Sequence, residues 1–211
     1  MPLSEPAERK PLHQRDIQVR GYERADGLYD IEGHLTDTKP HAIESDAGRL
    51  PAGKPIHGMW MRLTVDSSLT IIASEAWTEF GPFATCAGGA ASYGGLVGLT
   101  LKPGFLRAAN ERLGGPVGCT HIREMLQQMA TTAFQALWGR SHRTVKAGGT
   151  GAKSANDDRD TDGSIALVDT CYAYASDGAV VKARWPHLSK GRMATGEAAS
   201  PDQAATGSAE G

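Results

Sequence analysis

Apolar and polar residues alternate through Ile17-Gln18-Val19-Arg20, and after the turn pair Asp26-Gly27 the alternation resumes over residues 28–36. A period of two with a tight turn between predicts a β-hairpin. Residues 56–65 and 69–80 repeat the pattern around Asp66-Ser67-Ser68, a three-residue loop that predicts a second, longer hairpin. Between the hairpins, residues 37–55 hold three prolines and two glycines, which predicts a surface loop. From Pro103 the period lengthens. Phe105, Leu106, Ala109 and Leu113 share one helical face, and Gly114-Gly115 supplies a stop. A longer helix follows, with Thr120 as N-cap and Ile122, Met125, Leu126, Met129, Ala133, Ala136 and Leu137 recurring at three and four, up to Gly139. Residues 164–175 fit neither period, so strand and helix both stay open there. The expected fold class is α+β: an antiparallel sheet of two hairpins packed against two or more helices.

The ends and the middle break differ in composition from the rest. Residues 1–12 mix proline with both charge signs, and residues 189–211 are poor in large apolar side chains, so both predict disordered tails. Residues 141–163 are rich in Gly, Ser, Asn and Asp and predict a flexible insertion. This leaves a core domain over 13–140 and a C-terminal element of the same domain over 164–188. A net charge of −2 with basic residues scattered among acids provides no nucleic-acid footprint. Three widely spaced cysteines without a secretory leader predict reduced thiols and a cytoplasmic location. The longest apolar runs are broken by Gly or charge, so no membrane span is expected.

Candidate chemistry gathers at two places. On the strand 56–65, His57 shares a face with Met59, Met61, Leu63 and Val65. If Val65 pairs with Leu69 across the three-residue loop, Glu75 falls opposite Met59 and diagonal to His57. A carboxylate on an apolar face is costly unless paired, so His57 and Glu75 form a candidate acid–base dyad; a different loop length would reverse the faces. The second place is Gly118-Cys119-Thr120-His121, a thiol and an imidazole at the opening of a long helix, where unpaired N–H groups favour negative charge. Cys119 and His121 are one residue apart and suit either a thiolate–imidazolium pair or metal ligation. With Cys86 and Cys171 they would complete a tetrahedral zinc or iron set, although no CxxC pair is present. Tyr22, Arg24 and Trp60 are the candidate substrate-binding residues, with Asp26, Asp30, Asp37 and Lys39 nearby in sequence; turn chemistry and a solvated strand face account for most of these polar groups equally well. The glycine-rich stretch 86–95 lacks GxGxxG and Walker patterns and predicts a close-packed turn.

The runs Arg24-Ala25-Asp26-Gly27, Glu32-Gly33-His34-Leu35-Thr36-Asp37-Thr38-Lys39-Pro40 and Pro55-Ile56-His57-Gly58-Met59-Trp60-Met61-Arg62-Leu63-Thr64-Val65-Asp66 resemble the bacterial family known as domain of unknown function 2889. Leu96-Val97-Gly98, Gly114-Gly115, Gly118-Cys119-Thr120-His121 with Glu124 and Leu126, and Ala130-Thr131-Thr132-Ala133-Phe134-Gln135 extend the resemblance to about residues 12–190. It departs at Tyr172, where a His commonly follows the Cys that corresponds to Cys171. The resemblance implies a setting among genes for catabolism of aromatic and CoA-linked acids. A fainter likeness is to the iron–sulfur scaffold fold, which would make Cys86, Cys119, His121 and Cys171 cluster ligands.

The leading expectation is therefore a small-molecule enzyme of aromatic or hydroxylated carboxylic-acid catabolism, a lyase or hydratase type without a nucleotide cofactor. His57 would be the general base, Glu75 its partner, and Cys119 and His121 would polarise an oxygen or take the second proton, with Arg24 holding a carboxylate. The competing expectation is a zinc- or iron-binding scaffold. Its partner would be a small molecule, with no nucleic acid and no membrane; a homo-oligomer is compatible with either reading.

Overall fold

The computed structural model describes residues 3–45, 48–146 and 167–190. The chain divides into two compact units, Met1–Ser154 and Ala155–Gly211. The first holds an α+β domain. Its strands are β1 (Gln14–Glu23), β2 (Tyr29–Thr38), β3 (Ile43–Ser45), β4 (Gly48–Leu50), β5 (Pro55–Val65) and β6 (Ile71–Phe80). Four of them form an antiparallel sheet in the order β1-β2-β5-β6, while β3 and β4 pair separately. Its helices are α1 (Cys86–Ala91), α2 (Phe105–Leu113) and α3 (Thr120–Lys146), with 3-10 turns at Ser92–Leu96 and Gly115–Val117.

The sheet has one covered and one open face, as the period of two requires. Tyr29, Ile31 and Leu35 of β2 and Met59, Met61, Leu63 and Val65 of β5 are buried, facing Ile122, Met125, Leu126, Met129 and Ala133 of α3 in one core. Each buried Leu, Ile, Val or Met side chain among them contributes about 1.5–3 kcal/mol of transfer free energy. The helix sits close because the strands carry glycines beneath it: a Cβ on Gly33 would lie 3.0 Å from Met129 Sδ, and one on Gly21 would lie 3.2 Å from Ala136 Cβ. On the open face a row of alternating charges, Arg20, Glu32, Arg62 and Glu75, crosses all four strands in register. There Arg62 donates to Glu32 (2.9 Å) and Glu75 (2.8 Å).

Several sequence expectations change. The connection after β5 spans residues 66–70, because Asp66 Oδ1 accepts from Ser68 N (2.8 Å), Ser68 Oγ (2.7 Å) and Thr70 N (2.9 Å) and winds the chain into a wider turn. Val65 pairs with Ile71, not Leu69, and bulges at Thr64/Val65 and Gly58/Met59 shift the register again. The expected loop over 37–55 instead contributes the end of β2 and the small β3-β4 hairpin. Residues 86–95 fold into α1 and a 3-10 turn, not a simple close-packed turn. The long helix continues past Gly139 to Lys146, so the first part of the expected insertion is helical; residues 147–163 lie outside the described residues. The tail over 189–211 also falls outside them beyond residue 190, and residues 3–12 are exposed and carry no strand or helix.

The second unit contains the element expected over 164–188, of which residues 167 onward are described. Over its described residues it is neither a strand nor a long helix. A 3-10 turn at Tyr172–Tyr174 leads to α4 (Ala179–Arg184). Asp169 anchors the turn by accepting from Ser176 N (2.8 Å), and Tyr174 packs on Trp185 at 5.7 Å between ring centroids.

Candidate functional site

Adjacent strands carry Arg15, Asp37 and His57 in one register row on the covered face of the sheet: Arg15 pairs with Asp37, and Asp37 with His57. Asp37 follows Tyr29, Ile31, Gly33 and Leu35 on the buried face of β2, and it is only 1 % exposed. A charge there requires compensation. Arg15 gives it, donating from Nε to Oδ1 and from Nη2 to Oδ2, both at 2.7 Å. The remaining guanidinium nitrogen pairs with Glu124 of α3. His13 Nε2 lies 3.0 Å from Oδ1, and His57 Nδ1 lies 3.1 Å from Oδ2. An ionised carboxylate only accepts hydrogen bonds, so His13 Nε2 and His57 Nδ1 are the donors in these contacts.

The first turn of α3 completes the cluster from above. His121 Nε2 is 3.6 Å from Asp37 Oδ2, and its ring lies over that of His57 with centroids 3.9 Å apart and planes tilted by 30°. Cys119 Sγ is 3.8 Å from His121 Nδ1. The N-cap role expected of Thr120 belongs to Cys119, whose carbonyl accepts from Arg123 N (3.0 Å) and from the hydroxyl of buried Tyr93 (2.6 Å).

The electrostatics follow from this packing. Burial alone would raise Asp37, but the hydrogen bonds and charges of Arg15 and His13 outweigh it and hold the carboxyl well below the usual carboxylate range. Burial lowers His121, and the neighbouring His57 and Arg15 push the same way against Asp37 and Glu124. Its neutral form is thereby favoured. Tyr93 is pushed up to about 12, chiefly by burial, and stays a hydroxyl donor.

The two candidate regions meet, with one substitution. His57, Cys119 and His121 converge as expected, whereas Glu75 does not join them: the shifted register puts it opposite Arg62 on the open face, more than half exposed. Asp37 takes its place. Trp60 also lies on the open face, stacked on His34 at 3.8 Å between centroids and donating to Glu79. Arg24 binds Asp26 and Asp30 and lines a shallow open pocket with Arg62, Thr64 and Glu75. Tyr22 pairs with Asp30 at the same end. These substrate-binding candidates are therefore separated from His57 by the sheet. Sequence reasoning missed His13 and Arg15 and gave Asp37 no central role, although an acid continuing the apolar alternation of β2 was a readable signal.

Among the described residues, the His, Cys, Asp and Glu side chains with ligand atoms gathered within 4.8 Å are Asp37, His57 and His121, in place of the expected set of Cys86, Cys119, His121 and Cys171. Cys86 opens α1, and Cys171 belongs to the second unit. These three could hold an ion; Arg15 also binds both oxygens of Asp37, and the two imidazole planes are tilted by 30°.

The chain matches the family model described as Protein of unknown function (DUF2889) over residues 13–135. It belongs to that family. The matched DUF2889 segment begins at His13 and contains all members of the cluster, through Glu124. No curated protein and no solved structure matches the chain. No helix among the described residues is long and apolar enough to cross a membrane.

Proposed function

We propose that this DUF2889 member is an enzyme that moves protons on a small carboxylic acid or its activated derivative, a lyase- or hydratase-type reaction in which His57 is the general base. The observation that carries this reading is the buried Asp37 carboxylate hydrogen-bonded to His57 Nδ1 at 3.1 Å. That bond fixes the tautomer, directs the basic Nε2 away from the carboxylate and stabilises the imidazolium formed when a proton is taken. Arg15 and His13 hold Asp37 ionised, so the carboxylate orients the base without taking its proton. His121, stacked beside it, polarises a substrate oxygen, and the proton taken by His57 is returned by the His57 imidazolium to the opposite atom of the substrate. The choice of aromatic or hydroxylated acids as substrates rests on the family resemblance alone.

Replacing His57 with Gln, which keeps a polar group in a similar volume, tests the reading. Turnover of a small panel of hydroxylated and unsaturated acids, followed by NMR in deuterated water, should fall by about 10²–10⁴-fold, together with solvent exchange at the reacting carbon. Full activity in this variant would eliminate the assignment. Protein that retains stoichiometric zinc or iron, and loses it on Asp37→Asn, would instead favour a metal centre made by the same side chains.

A further inference from the structure

Cys119 is held more firmly than a helix-capping residue requires. Tyr93, fully buried, donates to its carbonyl, and Gly118 before it leaves no room for a side chain: a Cβ there would meet the Leu113 carbonyl and lie 3.3 Å from Tyr93 Oη. The result is a half-buried thiol beside His121 Nδ1, whose other nitrogen faces Asp37. Sulfur, imidazole and buried carboxylate thus stand in series, the order of nucleophile, base and orienting acid. The separations of 3.8 and 3.6 Å are longer than closed hydrogen bonds, as is common for such groups before substrate binds.

We propose that Cys119 is a catalytic nucleophile toward activated acyl compounds, oxygen esters or thioesters of small carboxylic acids. This rests on the reading of the Asp37 cluster as a catalytic centre and names its substrate class. As Sγ bonds to the acyl carbon, the thiol proton passes to His121 Nδ1, while Nε2–H remains directed at Asp37. The first-turn N–H groups of α3 have no intrahelical acceptor and are the donors available to the developing oxyanion. The bond to the leaving oxygen or sulfur then breaks, and His121 returns the proton to it. Water completes the cycle: His57 Nε2 takes one of its protons, its oxygen attacks the acyl–Cys119 carbon, the C–S bond breaks, and the proton is returned to Sγ. The net reaction is hydrolysis to a carboxylic acid and an alcohol or thiol, with no change of oxidation state.

The probe is p-nitrophenyl acetate with the full chain, followed by nitrophenolate release and by peptide mass spectrometry of the three cysteines. Cys119 should acquire the acetyl group about 10²-fold faster than the exposed Cys171 in the same molecule, and His121→Asn should bring the two rates together. His57→Gln should leave acetylation intact and slow release, so that acetyl-Cys119 accumulates. Equal labelling of Cys119 and Cys171, or no effect of His121→Asn in a variant with an unchanged circular dichroism spectrum, overturns the proposal. The two readings fail separately. Loss of turnover on His57→Gln without Cys119 acetylation leaves the proton-transfer reading standing and removes the nucleophile; acetyl-Cys119 that clears equally fast in His57→Gln removes His57 as base and keeps the nucleophile.

Discussion

Asp37→Asn is the substitution that tests the architecture most directly, because it keeps the side-chain shape and removes only charge and one acceptor. Asp37 takes two hydrogen bonds from Arg15, one from His13 and one from His57. Whichever way the amide turns, its NH₂ faces donors, so at least one buried contact becomes donor against donor. Breaking a fully buried ion pair costs about 3–5 kcal/mol. Arg15 is about a third exposed and also reaches Glu124, so it recovers part of the loss, and we expect about 2–3 kcal/mol. For a domain of this size that is a fall of roughly 6–12 °C in Tm. Thermal unfolding at neutral pH, followed by circular dichroism, reads it. The pH dependence supplies a second check. A carboxyl whose folded pKa is depressed contributes stability above its unfolded value of about 3.9, and that contribution disappears as pH falls through the folded value. The gap between wild type and variant should therefore be constant near neutrality and narrow only in strong acid. A variant within about 0.5 kcal/mol of wild type at pH 7 would refute the claim that this carboxylate organises the site.

Two further outcomes follow from the same geometry. His121 is lowered in the fold, so below its unfolded pKa of about 6.5 the unfolded chain binds more protons and stability falls as pH drops through the folded value; His121→Asn should flatten that part of the Tm–pH curve, and an unchanged slope would contradict the assignment. Gly118→Ala forces a Cβ onto the Leu113 carbonyl, backbone against side chain, and should cost about 1–3 kcal/mol in urea unfolding; a neutral effect would show that the capping loop is not fixed.

The strands, the covered face of β5 and the apolar stripe of α3 were legible because each rests on a local period. His57 fell on its correct face for that reason. The partner of His57 was not legible, because pairing depends on what happens between strands: the Asp66 side chain widens the turn, two bulges shift the register, and Glu75 exchanges faces. Asp37 was hidden by its neighbours. Lys39-Pro40 and the following glycines marked the region as a loop, although β2 runs two residues further and carries the acid into the core row. Arg15 and His13 gave no local signal, since their role comes from a pairing 22 and 24 residues away.

The seating of α3 on glycines has a consequence for how this domain can vary. Met125 and Met129 lie over Gly33, and His121 stands four residues before Met125 on the same stripe. Adding or deleting a single residue between His121 and Met125 would rotate the helix head by about 100° relative to its seat and swing the imidazole off Asp37. The hydrophobic seat would survive. In this stretch side chains can be exchanged but length cannot, and a relative with an insertion there would keep the scaffold while losing its chemistry.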